Sequence, residues 1–172
     1  TKTKLLDLPS VNLISESISE TALAYFEEKQ MPVQLMGVDS VFGQLTNIED
    51  IITDGHYEVF DGAFDRAVLG QGLAWKLGIG AHFIHAIEVY APKRKGQVNM
   101  LRPDVNFNSE RCFIAGTFAV NQQKYDENLM LVDIDLTRRL LDYDKTEVTA
   151  LQVGVAEGVS IRRAKREITS LL

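Results

Sequence analysis

The amino-acid sequence predicts an α+β fold built on a mixed sheet. Strand-like and helical segments follow one another irregularly: strands, a short helix, a strand, a helix, three strands with one helix, then a strand and a helix. A regular doubly wound fold would instead alternate single strands with single helices. The irregular order therefore favours a sheet in which parallel and antiparallel neighbours are combined.

The first forty residues predict a long β-hairpin. Its first arm spans about 11–27, the polar tetrapeptide EEKQ turns the chain, and MPVQLMGV returns it. Every residue from Ala22 to Phe26 is apolar, which predicts a bulge or burial on both faces at that point. A short helix is expected next at NIEDII (47–52), with Asn47 as its N-cap.

The middle of the chain predicts strands on either side of a helix. The strand at 68–70 leads into GLAWKLG, whose leucines and alanine share one helical face and whose final Gly78 ends the helix. Two further strands are expected at IHAIEVYA (84–91) and RCFIAGTFAV (111–120). The second of these is apolar on both faces, and so is expected in the centre of the sheet.

The C-terminal part predicts two strands and two helices. A polar turn, NQQKYDEN, precedes the strand LMLVDI (129–134), and Asp135 is expected to cap a helix through LTRRLLDY. The strand TALQVGV (149–155) follows, and Ser160 then caps a final helix. The apolar stripe of that helix is expected to consist of Ile161, Ala164, Ile168 and Leu171.

Composition and charge exclude several classes of protein. Apolar residues make up 45% and charged residues 24%, as in an ordinary soluble globular domain. The longest apolar run near a strand, FIAGTFAV, is far shorter than the ~20 residues of a membrane-spanning helix. The start, TKTKLLDLPS, has no apolar region of a secretory signal. A net charge of −6 argues against nucleic-acid binding, since phosphates are met by a positive surface.

Histidine and cysteine indicate no metal or redox site. His82 and His85 lead into a strand, where residues three apart point to opposite faces, so we expect no metal there. His56 is expected to stand alone in a turn, without an acidic or thiol partner nearby in sequence. The lone Cys112 lies in an apolar strand pattern and is expected to be a small buried hydrophobic residue.

The sequence predicts no catalytic residue and no cofactor. The glycines at 70–72 and 78–80 lack the rest of a phosphate-binding loop and are expected in a turn and a helix cap. A small carboxylate- or metal-dependent hydrolase remains a remote alternative, because the residues of such a site usually come from distant segments. Three neighbouring pairs have simpler roles in turns and caps: Asp126 with Glu127, Asp133 with Asp135, and Asp142 with Asp144.

One basic segment stands out in this acidic chain. It is APKRKGQVNMLRPD (91–104), which combines lysines and arginines with apolar residues between two prolines. In one interpretation, Met100 and Leu101 fold back under the loop and the cations only aid solubility. In the other, residues 93–108 project as a hairpin whose apolar anchors bind a protein while the charges orient an acidic partner. Composition favours this docking role slightly.

Four segments carry a family resemblance. In order and spacing they resemble the extracytoplasmic domain of ABC-transporter permeases of the MacB/FtsX type, and most closely the lipoprotein-releasing permeases LolC and LolE. The segments are MGVDS (36–40), AVLGQGLAWKLGI (67–79), SERCFIAGTFA (109–119) and YDENLMLVDIDLTRRLLDY (125–143).

The resemblance implies a non-catalytic transport domain. The full permease would have four transmembrane helices, with this domain between the first two, on the periplasmic side of the inner membrane. A cytoplasmic ATPase subunit and the same or a sister permease would complete the transporter, and a periplasmic carrier or adaptor protein would be its partner outside the membrane. Rigid-body rocking would then couple ATP hydrolysis to work outside the membrane.

The resemblance also implies two lobes and a binding site. Residues 1–40 and 146–172 would form a porter-like lobe, incomplete at both ends, and 41–145 an inserted, mostly β, sabre-like lobe. In the lipoprotein-releasing branch, a hairpin that corresponds to residues 93–108 hooks a periplasmic carrier, and a pad arginine corresponds to Arg111. The expected partner-binding residues are Lys93, Arg94, Lys95, Val98, Met100, Leu101, Arg102 and Arg111.

The chain departs from the family pattern in two places. The family usually has Gly-Asp before the strand that matches IEVYA, whereas this chain has the longer GAHFIHA. The first 35 residues match the family only in their pattern of apolar positions. Two alternatives within the resemblance therefore stay open: the periplasmic domain of a MacB-like macrolide or toxin exporter, and a scaffold that packs on a sister permease.

Overall fold

The computed structural model describes residues 2–80, 82 and 84–171. The strands of this part are β1 (Val11–Phe26), β2 (Lys29–Val38), β3 (Ile52–Gly55), β4 (Arg66–Gly70), β5 (Ile87–Pro92), β6 (Phe107–Phe118), β7 (Leu129–Asp133) and β8 (Ala150–Val155). The α-helices are α1 (Lys2–Leu6), α2 (Phe42–Thr46), α3 (Gln71–Leu77), α4 (Gln123–Asp126), α5 (Ile134–Leu141) and α6 (Ile161–Leu171). Short 3₁₀ helices span Ile48–Ile51 and Pro103–Asn106.

All of these strands belong to one sheet, and six of them close into a barrel. They follow the order β2-β7-β4-β6-β5-β1, and β1 pairs again with β2. The neighbours β2 and β7, and likewise β4 and β6, are parallel, whereas the other barrel pairs are antiparallel. The predicted α+β class with a mixed sheet is confirmed. Closure leaves no free edge within the barrel.

The main core fills the barrel interior. Alternate residues of each barrel strand point inward, and α3 and α5 add leucines to the same cluster. Cys112 is fully buried here, as predicted, and burial raises the pKa of its thiol above the ordinary range. The largest inward side chains of the strands are Ile18, Phe26, Leu35, Leu69, Ile87, Ile114 and Met130.

The long strand β1 is more regular than the sequence predicts. Ala22, Ala24 and Phe26 are buried, whereas Leu23 and Tyr25 lie on the other face and are partly exposed. The expected bulge or double burial at 22–26 is therefore wrong. The register shift of β1 lies instead near Val11, where the strand pairs with β8. The outward apolar residues are accommodated by packing, since the ring of Tyr25 meets that of Tyr90.

Two predicted caps are wrong, and one polar turn contains a helix. Asn47 has a left-handed φ of 50° and makes no side-chain cap bond to the 3₁₀ helix that follows it. Helix α5 is capped by Asp133, whose carboxylate accepts a 2.8 Å hydrogen bond from the backbone N–H of Asp135. The turn NQQKYDEN contains α4, and the Asp126 carboxylate accepts from the backbone N–H groups of Val120 and Gln122.

A separate, small cluster joins β8, α1 and α6 against the start of β1. The Ser160 hydroxyl accepts a 3.3 Å bond from the N–H of Arg163, which confirms the predicted cap of α6. Ala164 is buried and Ile168 packs on the cluster, but Ile161 is 76% exposed, so its place in the stripe is wrong. Leu171 lies at the exposed end of the helix.

Strand β1 runs through both the small cluster and the barrel. Its first half pairs with β8, and its second half pairs with β5 and β2. The division into a porter-like lobe (1–40 and 146–172) and an inserted lobe (41–145) stays a prediction. Within the described residues, none of the helices combines the length and the hydropathy that crossing a membrane requires.

Candidate docking surface

The basic loop, residues 93–108, leaves β5 and returns as the start of β6. The backbone N–H of Lys93 donates to the carbonyl of Asn106 at 2.9 Å, which continues the β5–β6 pairing into the loop. Val98, Met100 and Leu101 are 73, 85 and 95% exposed. The apolar residues do not fold back under the loop, so that part of the first interpretation is wrong. The curl of the loop surrounds a concavity of about 500 Å³.

Two asparagines order the tip of the basic loop. The N–H of Asn99 donates to the Asn106 side-chain oxygen at 2.8 Å, and the Asn106 side-chain nitrogen donates to the Asn99 carbonyl at 3.1 Å. The Asn99 side-chain oxygen also accepts from the N–H groups of Leu101 and Arg102, both at 3.0 Å. Met100 and Leu101 therefore sit on a hydrogen-bonded turn. Sequence reasoning missed this clamp, although asparagine is a turn former.

The base of the basic loop contacts the segment that follows α5. The guanidinium of Arg94 lies 3.9 Å from the ring centre of Tyr143, and an Arg94 nitrogen lies 3.6 Å from a Glu147 oxygen. Lys95 lies 3.4 Å from a carboxylate oxygen of Asp144. These pairs are largely exposed and so contribute little to stability individually. They do neutralise part of the positive charge that the sequence predicts at this surface.

The remaining cations of the loop differ in their surroundings. Arg102 lies 3.5 Å from Asp104, and both side chains are about 70% exposed. The Lys93 side chain makes no ion pair with any residue that the structure describes. The collar of the loop is thus less strongly cationic than the sequence alone suggests, since Arg94, Lys95 and Arg102 lie beside carboxylates.

Arg111 lies on the outer face of β6, four residues after Phe107 and therefore on the same face. Its guanidinium binds the carboxylate of Glu88 on β5, which also accepts a 2.6 Å bond from the Tyr90 hydroxyl. The bond from Tyr90, and then Arg111, lower the pKa of Glu88 below its usual range. The Arg111 side chain is 74% exposed. The strand pairing thus fixes Arg111 in place while its guanidinium stays accessible.

The histidines do not converge on a metal site. His56 lies 3.2 Å from Glu58, His82 3.7 Å from Asp54, and His85 3.9 Å from Glu27. The expectation that His56 has no acidic partner nearby is wrong, because Glu58 is only two residues away. Among the described residues, no three histidine, cysteine or acidic side chains are grouped as metal ligands would be.

Several carboxylates form ion pairs with cations or accept hydrogen bonds from backbone N–H groups. Arg139 on α5 lies between Asp65 and Glu110, at 2.7 and 3.2 Å. Burial raises the pKa of Asp65, and the positive charge of Arg139 opposes that rise. Glu127 binds Lys76 at 2.5 Å, which lowers its pKa. This arrangement suits structural ion pairing, since Asp65, Glu110 and Glu127 each lie beside a cation.

The fold is that of the extracytoplasmic domains of MacB-type ABC transporters. The structure of the extracellular domain of the noncanonic ABC-type transporter YknZ from Gram-positive bacteria matches with a TM-score of 0.63 and 13% identity, over 94% of this chain and 74% of that one. The periplasmic region of MacB from Actinobacillus actinomycetemcomitans matches with a TM-score of 0.65 and 10% identity, over 98% of this chain and 69% of that one. No protein-family model and no curated protein sequence matches the chain.

Proposed function

We propose that this chain is the non-catalytic periplasmic domain of an ABC-transporter permease, and that its basic loop docks a periplasmic carrier during lipoprotein release. The shared fold supports the first part. The observation that carries the second part is the exposure of Val98, Met100 and Leu101 on a loop ordered by Asn99 and Asn106. A hydrogen-bonded apolar tip loses little conformational entropy when it binds.

The chemistry of the tip indicates the kind of surface that it fits. Met100 and Leu101 would supply desolvated anchors, and the unbranched methionine adapts to an irregular apolar groove. A carrier that receives an acylated protein must itself contain apolar surface. Lys93 and the exposed guanidinium of Arg111 would orient a partner with an acidic rim.

A closed barrel suits a part that transmits movement. The six barrel strands enclose one continuous core, so the domain would move as a rigid body. In the complete transporter, a cytoplasmic ATPase subunit would drive this movement through the membrane helices of the permease. The same or a sister permease would supply the second half of the transporter.

Binding to the cognate carrier tests the proposal directly. We expect Met100→Glu/Leu101→Glu to weaken carrier binding at least about ten-fold, as substitution of interface anchors does. Arg111→Glu should weaken it less and reduce its dependence on salt. Calorimetric titration of the purified domain with the carrier measures both effects.

The matched control is Ile84→Glu, because Ile84 is 82% exposed and lies outside the basic loop. It should bind the carrier as the unmodified domain does. Unchanged binding in both the tip variant and Arg111→Glu would show that neither the loop nor Arg111 contributes to carrier binding. An equal loss in the control would mean that any added negative charge interferes.

The asparagine clamp gives a second, graded test. Asn106→Ala removes both side-chain bonds to Asn99 and should lower carrier affinity about three- to ten-fold, since each lost bond is worth ~1 kcal/mol. Asn106→Asp keeps the acceptor oxygen, and its carrier affinity should lie between that of Asn106→Ala and that of the unmodified domain. Amide exchange at Leu101 and Arg102 should accelerate while the barrel amides stay protected. Carrier affinity that is unchanged in Asn106→Ala would show that the order of the tip is irrelevant.

The second candidate is a MacB-like exporter domain or a scaffold on a sister permease, and the similarity to the MacB periplasmic region favours it. In that case the basic loop would be dispensable for transport, and substitutions on the face formed by β8 and α6 would impair it. Deleting residues 97–101 in the full transporter distinguishes the candidates. The native coding context also tests both, through flanking hydrophobic helices and an adjacent ATPase.

A further inference from the structure

A tryptophan lies at the surface of α3, where the packing of the helix does not require it. Leu73, Ala74 and Leu77 turn inward to the barrel core, whereas Trp75 is 72% exposed. It is the only tryptophan in the sequence. Trp75 borders a depression of about 340 Å³ between α3, α4 and the segment after β6. The polar residues of its lining include Gln71, Lys76, Asn121, Asp126 and Glu127.

The wall of the depression carries side-chain amides that are available to a ligand. Neither the Gln71 nor the Asn121 side chain makes a hydrogen bond to any residue that the structure describes. Asn121 also has a left-handed backbone, with φ of 59°, a conformation that asparagine adopts more readily than most residues other than glycine. Each carboxamide offers both donors and an acceptor. Two side-chain amides with no hydrogen-bond partner among the described residues therefore lie beside the exposed indole of Trp75.

The depression is held in shape by contacts between α3 and α4. Lys76 binds Glu127 across the two helices at 2.5 Å. The helices approach so closely that a Cβ on Gly72 would lie 2.9 Å from the Glu127 side chain, and one on Gly70 would lie 2.4 Å from the Asp126 carbonyl. Glycine at both positions permits this contact. The amides and the indole are thus presented on a rigid base.

We propose that this depression binds a saccharide unit. A sugar ring has an apolar C–H face that can stack on the indole of Trp75, and a rim of hydroxyls that can bond to the amides. The wall has one cation, Lys76, against the two carboxylates of Asp126 and Glu127, and this net negative charge disfavours a phosphate or another anion. An apolar helix would find one large apolar side chain and otherwise polar walls. The volume lies at the lower end of the range of small-ligand pockets, ~300–1,000 Å³.

The depression at Trp75 is separate from the basic loop that is proposed to dock the carrier. Strand β6 begins at the basic loop and ends at Phe118, just before the depression. At about 3.3 Å per residue, the two sites lie roughly 35 Å apart along that strand. A glycan of the cell envelope bound at Trp75 would anchor the domain and leave the basic loop free.

The single tryptophan allows a direct test on the unmodified domain. Titration with chitotriose and with maltotriose should produce a saturable change in Trp75 emission, with a dissociation constant in the millimolar range or below. Glycerol, a polyol without a ring, should produce none. Binding of chitotriose alone would support an N-acetylated glycan as the source, and binding of both would support a neutral hexose glycan. The absence of binding by either trisaccharide at tens of millimolar would overturn the proposal.

Variants then assign binding to the depression, with saturation-transfer NMR as the readout because it does not need the tryptophan. Trp75→Ala should lower the affinity about ten-fold or more, and Gln71→Ala about three-fold. Asn121→Gly, which suits the left-handed backbone, should resemble Gln71→Ala. Phe60→Ala is the matched control, since Phe60 is an exposed aromatic outside the depression. Full binding by Trp75→Ala would overturn the proposal, as would Trp75-dependent self-association of the domain without sugar.

Discussion

At the residue scale, the carboxylate of Asp61 organises the turn before β4. One of its oxygens accepts from the backbone N–H groups of Ala63 and Phe64, at 2.9 and 2.7 Å. The other accepts from the guanidinium of Arg66 at 2.8 Å. The bonds from Phe64, Ala63 and Arg66 lower the pKa of Asp61 to about 2. All of these partners favour the ionised carboxylate.

The first prediction concerns the pH dependence that Asp61 confers. Because its folded pKa of about 2 lies below its ordinary value of 3.8, the stabilisation is fully present above about pH 4. It is lost as the pH falls through 2. Asp61→Asn, which resembles the protonated acid, should be less stable than the unmodified domain at pH 7. Urea unfolding at pH 7 and pH 2 should show that most of the difference in stability is lost at the lower pH.

The control for this prediction is Asp104→Asn. The Asp104 carboxylate is 70% exposed and lies 3.5 Å from Arg102, so its replacement should change stability little at either pH. A destabilisation in Asp61→Asn that persists undiminished at pH 2 would show that the loss comes from packing and not from the charge.

At the element scale, α5 packs closely against β2 because Gly37 has no side chain. A Cβ at this position would lie 2.1 Å from the Thr137 hydroxyl oxygen and 3.1 Å from the Cα of Ile134. Thr137 is fully buried, so neither it nor the backbone of α5 can move aside cheaply. The resemblance segment MGVDS contains this glycine, which the packing explains.

The second prediction follows from this contact. Gly37→Ala should lower the free energy of unfolding by ~1–3 kcal/mol or more, through overpacking between β2 and α5. Gly80→Ala is the control, because its Cβ would only reach 3.5 Å from an Asp54 oxygen, an ordinary contact. Urea denaturation of both variants measures the difference. Equal stability of the two variants would mean that α5 shifts without cost.

The sequence predicts the elements better than their ends and partners. Apolar strands such as β7 and β6 are recognisable because their own residues carry the signal. Strand β3 is missed because its four residues, ITDG, are short and half polar. Helix α5 is capped by Asp133 and not by Asp135. Both acids lie within one turn, and the backbone conformation determines which of them precedes the helix. The strand pairing that sets Glu88 beside Arg111 joins residues distant in sequence.

For the candidate surfaces, too, the sequence predicts which residues are exposed better than it predicts their contacts. The exposure of Met100 and Leu101 agrees with the docking interpretation, since a segment flanked by prolines and broken by glycine is expected outside the sheet. The contacts of Arg94 and Lys95 with residues 143–147 depend on where α5 ends in space. No local pattern encodes them. The exposed position of Trp75 is visible from helical spacing. Of the two amides beside it, Gln71 lies on the same helix, whereas Asn121 comes from the segment after β6.

At the scale of the whole molecule, barrel closure makes β1 the element on which most of the sheet depends. It pairs with β2 along one edge and with β5 and β8 along the other. Each of these pairings except the hairpin joins residues far apart in sequence. Such closure is not readable from periodicity, because each strand pattern is compatible with several neighbours. The small cluster at the start of β1 lacks this reinforcement.

The third prediction concerns the distribution of stability. Amides of β4 and β7, in the barrel, should exchange hydrogen only through global unfolding, whereas those of α6 should exchange through local opening at lower free energy. The physical reason is that Ala164 is the one buried residue of α6 in the described chain. Hydrogen exchange followed by mass spectrometry measures both.

Matched substitutions separate the two regions. Ile168→Ala should accelerate exchange in α6 and α1 while β4 and β7 stay unchanged. Leu69→Ala, in the barrel core, should cost ~2–5 kcal/mol and accelerate exchange throughout. Uniform exchange across the domain in the unmodified protein would contradict the prediction.

The complete burial of Cys112 has a practical consequence. Its thiol is closed off inside the barrel and resists ionisation, so thiol-directed reagents have no accessible target in the folded domain. A cysteine introduced at Val98 would then be the site that a maleimide dye or a nitroxide labels, with no prior removal of the natural one. Distances from such a probe to a labelled partner would report where the loop goes during a transport cycle.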